Sequence, residues 1–214
     1  MGVEPLKRSD LPQHEALFSM AEGILGFLPN SMLTMSRSPE LMYSFSMLTA
    51  TVLKEKPKVS KFTMLKMGIR QLVGIAKMQR LEPAIPPDLK WLVAYVTSQS
   101  AGCRYCQGHT AFSASKAGVS DEKLQAVFDF EHSDLFTDQE RAALRIAIVG
   151  GASNGPPSKE MFDDFSSRFT EKQVIEIVAI IALFGFLNRW NSLMDTELEA
   201  LPGQFAREHL DQAS

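Results

Sequence analysis

The sequence predicts an all-α fold, and three features of it carry that prediction. Apolar residues recur at i, i+3, i+4 and i+7 along most of the chain, which is the spacing of helices with one buried face. We find no alternating apolar and polar runs joined by tight hairpin pairs, so strands are not expected. Gly118, Gly150-Gly151 and Gly155-Pro156 separate the helical segments at short intervals. We therefore expect about eight helices joined by short loops.

The first predicted helices are set by their apolar spacing and start signals. They cover residues 41–54, 62–80, 88–100 and 120–128. The helix over 88–100 follows Pro86-Pro87, a start signal, and its stripe of Leu89, Leu92, Val93 and Val96 predicts a single buried face.

Two further helices are predicted from their N-terminal caps. Thr137, with Glu140 three residues later, predicts a capped helix over 138–149, and Thr170 predicts the start of the last long helix. The apolar run 174–187 inside that helix is shorter than the roughly 20 residues that a membrane-spanning helix needs, and it contains Glu176. We interpret it as a buried helix.

One hydrophobic core is expected, because 45% of the 214 residues are hydrophobic and no long hydrophilic linker divides the chain. We predict an N-terminal helical extension over 1–80 packed on a core over 81–200, followed by a tail over 201–214. The helices over 88–100 and 171–187 each run into a short polar segment, which hints at a duplicated helical hairpin within this bundle.

Charge and the N-terminal sequence exclude several partners. The formal net charge is -3 and like charges are not clustered, which disfavours nucleic acid as a partner. The first residues carry acidic side chains and prolines where a secretory signal needs an apolar stretch. We expect a cytoplasmic protein with no membrane partner.

The segment CRYCQGH holds the residues with the clearest chemistry. Cys103 and Cys106 are the only cysteines, and they fall where a new helix begins, so unpaired amides and the helix dipole favour a thiolate there. A separation of three residues turns about 300° and leaves the two thiols within disulfide reach. His109 lies about 60° from Cys106 on the same helix and can move a thiol proton near neutral pH, while Tyr105 can shape the mouth of a pocket.

Two other interpretations of the cysteines remain open. The pair can be two buried small residues, or it can bind zinc together with His109. Structural zinc generally takes four ligands and the sequence offers no obvious fourth, so redox chemistry is favoured and no metal or cofactor is expected.

With these motifs in hand, the sequence resembles the AhpD-like alkylhydroperoxidases of the carboxymuconolactone decarboxylase superfamily, in their peroxidase-related branch. The resemblance rests on DLKWLVAYVTSQSAG running into CRYCQGH, and on the later TDQERAALRIA and EIVAIIALFGFLNRWN. It implies an oligomeric all-helical peroxiredoxin-type enzyme that reduces organic hydroperoxides or disulfides. Cys106 would attack the peroxide, Cys103 would close the disulfide, and a protein or lipoyl-type dithiol would reopen it.

Two positions depart from the family pattern. The family's assisting histidine lies four residues after the second cysteine, where this chain has Thr110, and its relay glutamate matches Trp91. Either Glu140 or Glu176 from a neighbouring helix supplies the missing carboxylate, or peroxidase activity is weak or absent. The alternatives are a decarboxylase acting on a muconolactone, or a redox sensor or oligomeric scaffold without catalysis. In each case the apolar helix faces predict a homo-oligomer.

Overall fold

The structure, a computed structural model, describes residues 3–54 and 82–210, and between them only Phe62, Leu65, Gly68 and Ile69. Every regular element in these described residues is a helix, which confirms the all-α prediction. Most of the predicted helix over 62–80 lies outside the described residues. The chain divides into two compact units, Met1–Glu82 and Pro83–Ser214.

The first unit contains short 3-10 turns at Arg8–Asp10 and Pro12–His14, followed by the helices α1 (Glu15–Leu25), α2 (Asn30–Met35) and α3 (Pro39–Leu53). Its core is formed by Leu11, Leu17, Phe18, Ala21, Met32 and Met42. The same three helices line an apolar pocket of about 220 Å³.

The second unit contains seven α-helices in its described residues: α4 (Pro87–Ser100), α5 (Arg104–Lys116), α6 (Asp121–Gln125), α7 (Asp138–Ala152), α8 (Lys159–Arg168), α9 (Glu171–Met194) and α10 (Ala200–His209). The predicted cap of α7 is confirmed, because Thr137 and Glu140 form a reciprocal capping box. Thr170 caps α9 in the same way, with Gln173 as its partner.

Helix α4 lies at the centre of this unit and packs against α5, α7 and α9. Its predicted stripe is buried, and so are the neighbouring Ala94, Tyr95, Thr97 and Ser98. Gly151 of α7 allows the two helices to come close, since a Cβ there would lie 2.4 Å from the carbonyl oxygen of Thr97. The helix that precedes the cysteines is therefore held rigidly on three sides.

Helix α9 buries one stripe and leaves other apolar residues exposed. The buried residues are Val174, Ile177, Ile181 and Asn188, whereas Leu183, Trp190, Leu193 and Met194 are exposed. The prediction of a buried helix is thus confirmed for one face only. By length and composition alone, α9 is also apolar enough to cross a membrane, a weak test that core helices of water-soluble proteins pass too.

The C-terminal residues differ from the predicted tail, because 200–209 form helix α10. This helix packs against α5, and the rings of Phe112 and Phe205 meet edge to face at 5.7 Å. The contact matters for the site, because α5 carries both cysteines.

Candidate dithiol site

The two cysteines lie at the start of α5, as the sequence predicted. Gly102 closes the preceding turn with a φ of +71°, a conformation that glycine adopts without strain. Cys103 is the N-cap residue, and its Sγ accepts the amide of Cys106 at 3.4 Å. Both thiols are free, and they lie close enough for Cys103 to contribute to the raised pKa of Cys106.

Both cysteines are buried, with exposed fractions of 2% for Cys103 and 3% for Cys106. Burial, followed by the neighbouring Cys103, raises the pKa of Cys106 to about 12, although the Asn191 amide acts in the opposite direction. Cys106 is therefore a thiol at neutral pH in this closed arrangement. At this sulfur, burial raises the pKa by more than the helix N-terminus lowers it.

Asn191 of α9 contacts the sulfur of Cys106. One hydrogen of its Nδ2 is donated to the carbonyl of Leu187 at 2.9 Å, and Nδ2 lies 3.5 Å from Cys106 Sγ. The amide is thus anchored on its own helix and directs a donor at the sulfur. Such a donor favours a negative charge on Cys106 when the sulfur ionises.

A second polar group, formed by Tyr105, His109 and Glu199, lies one turn along α5. Glu199 Oε2 is 2.6 Å from His109 Nε2, and its Oε1 accepts the Tyr105 hydroxyl at 3.0 Å. The pKa of the Glu199 carboxyl is lowered by its own backbone amide, by His109 and by Tyr105. The pKa of Tyr105 is raised, first by partial burial and then by the Glu199 carboxylate. The side chains of His109 and Glu199 are substantially exposed, so this group is at the rim of the site.

Residues 195–199, here called the covering segment, join α9 to α10 and contact α5 at Gly108, Tyr105 and His109. A Cβ at Gly108 would lie 2.9 Å from Cδ2 of Leu198, so the absence of a side chain at Gly108 allows Leu198 to sit against the helix. Glu199 caps the start of α10 directly afterwards. Leu198 and Glu199 together attach the covering segment to the helix that carries the dithiol.

Several predicted site residues lie elsewhere in the fold. Glu140 accepts Lys123 Nζ at 2.6 Å and the Thr137 amide, and Glu176 accepts the amide of Ala84 at 2.7 Å. These carboxylates support helix ends, and the carboxylate that contacts His109 is Glu199.

Two positions that depart from the family pattern have structural roles. Trp91 packs edge to face on Phe184 of α9, with ring centres 6.4 Å apart. Thr110 is buried and donates to the carbonyl of Cys106 at 2.6 Å. Neither residue is a proton donor to a sulfur in this arrangement.

Sequence reasoning missed Glu199, which lies 90 residues from His109 in the chain. No local spacing signals such a contact, because it depends on how α10 returns to α5.

Two buried polar side chains of the second unit have no hydrogen-bond partner among the described residues. They are Asn188, whose Nδ2 and Oδ1 are both unpaired, and Ser98, whose Oγ is unpaired. A buried polar group left in this way costs about 1–3 kcal/mol of folding free energy. The described residues contain no group of three or more His, Cys, Asp or Glu side chains suited to a metal ion.

Comparisons with known proteins agree with this fold and motif. A model of the carboxymuconolactone decarboxylase family matches residues 70–148, which include the dithiol and the helix before it. The uncharacterized protein YnjA of Escherichia coli (strain K12) is 30% identical over 126 residues, which make up 58% of this chain and 68% of YnjA. The chain therefore belongs to the carboxymuconolactone decarboxylase family, which confirms the superfamily that the motif predicted.

A solved structure matches over nearly the whole chain. The apo crystal structure of the debrominase Bmp8 is 38% identical, with a TM-score of 0.56, and the match covers 99% of this chain and 97% of Bmp8. A cysteine-to-alanine variant of Bmp8 in complex with 2,3,4-tribromopyrrole is 37% identical, also with a TM-score of 0.56, over 100% of this chain and 98% of that one. The family therefore includes a debrominase.

Proposed function

We propose that this protein is a dithiol-dependent reductase that removes bromine from an electron-rich heteroaromatic ring, with Cys103 and Cys106 supplying the two electrons. The observation that carries the proposal is the pair of free thiols at the start of α5, where Cys103 Sγ accepts the amide of Cys106 at 3.4 Å. The similarity to the debrominase Bmp8 over 99% of the chain supports the choice of substrate.

The chemistry balances with two thiols and no further group on the protein. One thiolate takes the bromine, so that an S–Br bond forms while the C–Br bond breaks and its electron pair stays on the ring carbon, which takes up a proton. The second thiolate then displaces bromide from sulfur and closes the disulfide. The ring gains hydrogen and loses bromide, the dithiol is oxidised, and an external dithiol reductant reopens the disulfide.

Different residues suit the different steps. Cys103 at the helix N-cap is favoured as the first nucleophile, because the pKa of Cys106 is about 12 in the closed arrangement. The resemblance to the peroxidases implies the reverse order, with Cys106 attacking first. His109, oriented by Glu199 and tilted at 41° against the Tyr105 ring with ring centres 4.6 Å apart, is suited to deliver the proton to the ring.

Organic hydroperoxide reduction is a second candidate, because it needs the same two thiols and the same reductant. Oxygen replaces bromine in the first step, so a sulfenic acid forms and an alcohol leaves. The CRYCQGH motif favours this reaction through its resemblance to the alkylhydroperoxidases. Decarboxylation of a muconolactone, by contrast, would leave the dithiol without a role.

The deciding experiment compares the two substrates on one preparation. Purified protein with excess dithiothreitol is given 2,3,4-tribromopyrrole or cumene hydroperoxide, and bromide release or peroxide loss is followed. We expect one bromide and one disulfide per turnover, and loss of turnover in Cys103→Ser and in Cys106→Ser. Bromide release that survives both serine variants would refute the dithiol mechanism, and peroxide loss without bromide release would establish the second candidate.

The proton-delivery role has a matched control within the chain. His132 forms another histidine–carboxylate pair, with Asp129 at 2.7 Å, on an exposed surface away from the cysteines. We expect His109→Gln to lower kcat by about 10²–10⁴-fold and to alter its pH profile, whereas His132→Gln leaves both unchanged. Equal effects of the two substitutions would exclude a catalytic role for His109.

A further inference from the structure

The buried stripe of α9 changes from aliphatic to polar where the helix approaches the dithiol. Val174, Ile177 and Ile181 are followed on the same face, seven residues on, by Asn188, which is 3% exposed. Position 188 is therefore as buried as the core positions before it, but its side chain can donate and accept hydrogen bonds. Both ends of its amide, donor and acceptor, are unpaired among the described residues.

Asn188 lies close to the sulfurs by helix geometry. It precedes Asn191 by three residues, which places the two side chains on neighbouring lines of one helix face, about 5–6 Å apart at Cβ. Asn191 lies 3.5 Å from Cys106 Sγ. The difference between the two is instructive, because Asn191 satisfies its amide on Leu187 and Cys106, whereas Asn188 has no such partner.

Helix α4, which precedes the dithiol in the chain, also carries a buried polar side chain without a hydrogen-bond partner among the described residues. Thr97 donates to the carbonyl of Val93 at 2.7 Å, as a buried hydroxyl in a helix usually does, but the adjacent Ser98 hydroxyl has no partner. The carbonyl of Ser98 accepts the Cys103 amide at 3.1 Å, so this residue is next to the first cysteine. Two unpaired polar side chains therefore belong to residues next to the dithiol, Ser98 through its backbone contact with Cys103 and Asn188 three residues before Asn191.

We propose that Asn188, assisted by Ser98, is the substrate-binding residue that accepts the ring N–H of a halogenated azole beside the dithiol. This inference rests on the proposed function and names the group of the substrate that the site recognises. The amide oxygen can accept an N–H donor, and neither Asn188 nor Ser98 carries a positive charge to balance a carboxylate or phosphate, so a neutral azole ring fits better. The Nδ2 donor of Asn188 remains for a second polar atom, such as a halogen lone pair.

The test compares two ligands that differ only in the donor. The full chain carrying Cys103→Ser and Cys106→Ser, which cannot turn over, is titrated by calorimetry with 2,3,4-tribromopyrrole and with its N-methyl derivative. We expect the N–H ligand to bind at least about tenfold more tightly, since one hydrogen bond in a buried site is lost on methylation. Adding Asn188→Leu, which keeps the side-chain volume, should reduce this ratio to about one, and Ser98→Ala should reduce it partly.

Equal binding of the two ligands, binding of neither, or a ratio that persists in Asn188→Leu, would overturn the inference. A thermal melt checks that Asn188→Leu folds, and we expect its melting temperature to equal or exceed that of the parent, because an unpaired buried amide is removed. Should that variant fail to fold, the ratio in Ser98→Ala decides instead.

The proposed function is tested separately by bromide release from the intact dithiol protein. Bromide released equally from both ligands would overturn the role of Asn188 alone, and tight N–H-selective binding without bromide release would overturn the debromination alone.

Discussion

The ionisation of Cys106 can be tested directly in a Cys103→Ser variant, which leaves one thiol. In the parent protein the pKa of this thiol is raised to about 12, against an ordinary value of 9.0, and burial, which the variant keeps, is the largest cause, ahead of Cys103. At pH 7.5 the thiolate fraction is then smaller by about three powers of ten, because each pKa unit is a tenfold change in the ratio of thiolate to thiol. Since the thiolate is the reactive form, we expect iodoacetamide to alkylate folded Cys106 about a thousandfold more slowly than an ordinary thiol.

The assay follows carbamidomethylation by mass spectrometry from pH 6 to pH 10, with the same variant in urea as the reference for an exposed thiol. In the folded protein the rate should still be rising at the highest pH, and the reference should approach its plateau near the ordinary pKa. Leu198→Ala, which removes the side chain that lies against Gly108, should raise the folded rate by loosening the covering segment. A folded midpoint at or below pH 9 would refute the argument that burial controls this sulfur.

Two further predictions concern the stability of the scaffold. Glu140→Gln breaks a largely buried ion pair with Lys123, so we expect a loss of about 2 kcal/mol and a fall of about 4–8 °C in Tm at neutral pH. Burial raises the pKa of the Glu140 carboxyl, but Lys123 and Thr137 together lower it by more, so the net shift is downward. The stabilising effect is therefore present above the ordinary pKa of 4.5 and is lost as the pH falls through the lower folded value. Melts of the two proteins should converge in acid, and a difference that persists there would contradict this. Gly151→Ala places a Cβ 2.4 Å from the backbone of Thr97, so we expect it to lower the free energy of unfolding by about 1–3 kcal/mol. Gly203→Ala meets only ordinary contacts at 3.5 Å and should raise the free energy of unfolding by up to about 1 kcal/mol. Both values are measured by urea unfolding, and equal effects would show that the helices can move apart.

The parts of the fold that were predicted correctly depend on residues close together in the sequence. The capping box of Thr137 and Glu140 and the N-cap at Thr170 are interactions over three residues, so the sequence alone specifies them. The position of Cys103 at a helix start is equally local, because Gly102 ends the preceding helix. Local chemistry thus located the dithiol and the helix on which it lies.

The surroundings of the dithiol depend on contacts between distant segments and were not predicted. The sequence suggested Glu140 or Glu176 as the partner carboxylate, but the one on His109 is Glu199, which α10 brings back to α5. The helix start favours an ionised sulfur, but the burial that opposes ionisation at Cys106 comes from helices packed around it. A residue's exposure is set by tertiary packing, and one sequence does not contain that information in local form.

Burial of both sulfurs makes the covering segment part of the chemistry. A dithiol at 2% and 3% exposure is protected from solvent oxidants, yet it must meet both a substrate and an external reductant. The segment contacts α5 through Leu198, which lies against Gly108, and through the Glu199 carboxylate, which His109 and Tyr105 share. Because the carboxylate pair is exposed, water can replace its hydrogen bonds at small cost. Separation of Glu199 from His109 is therefore expected to cost little free energy, and it would leave His109 free to transfer a proton.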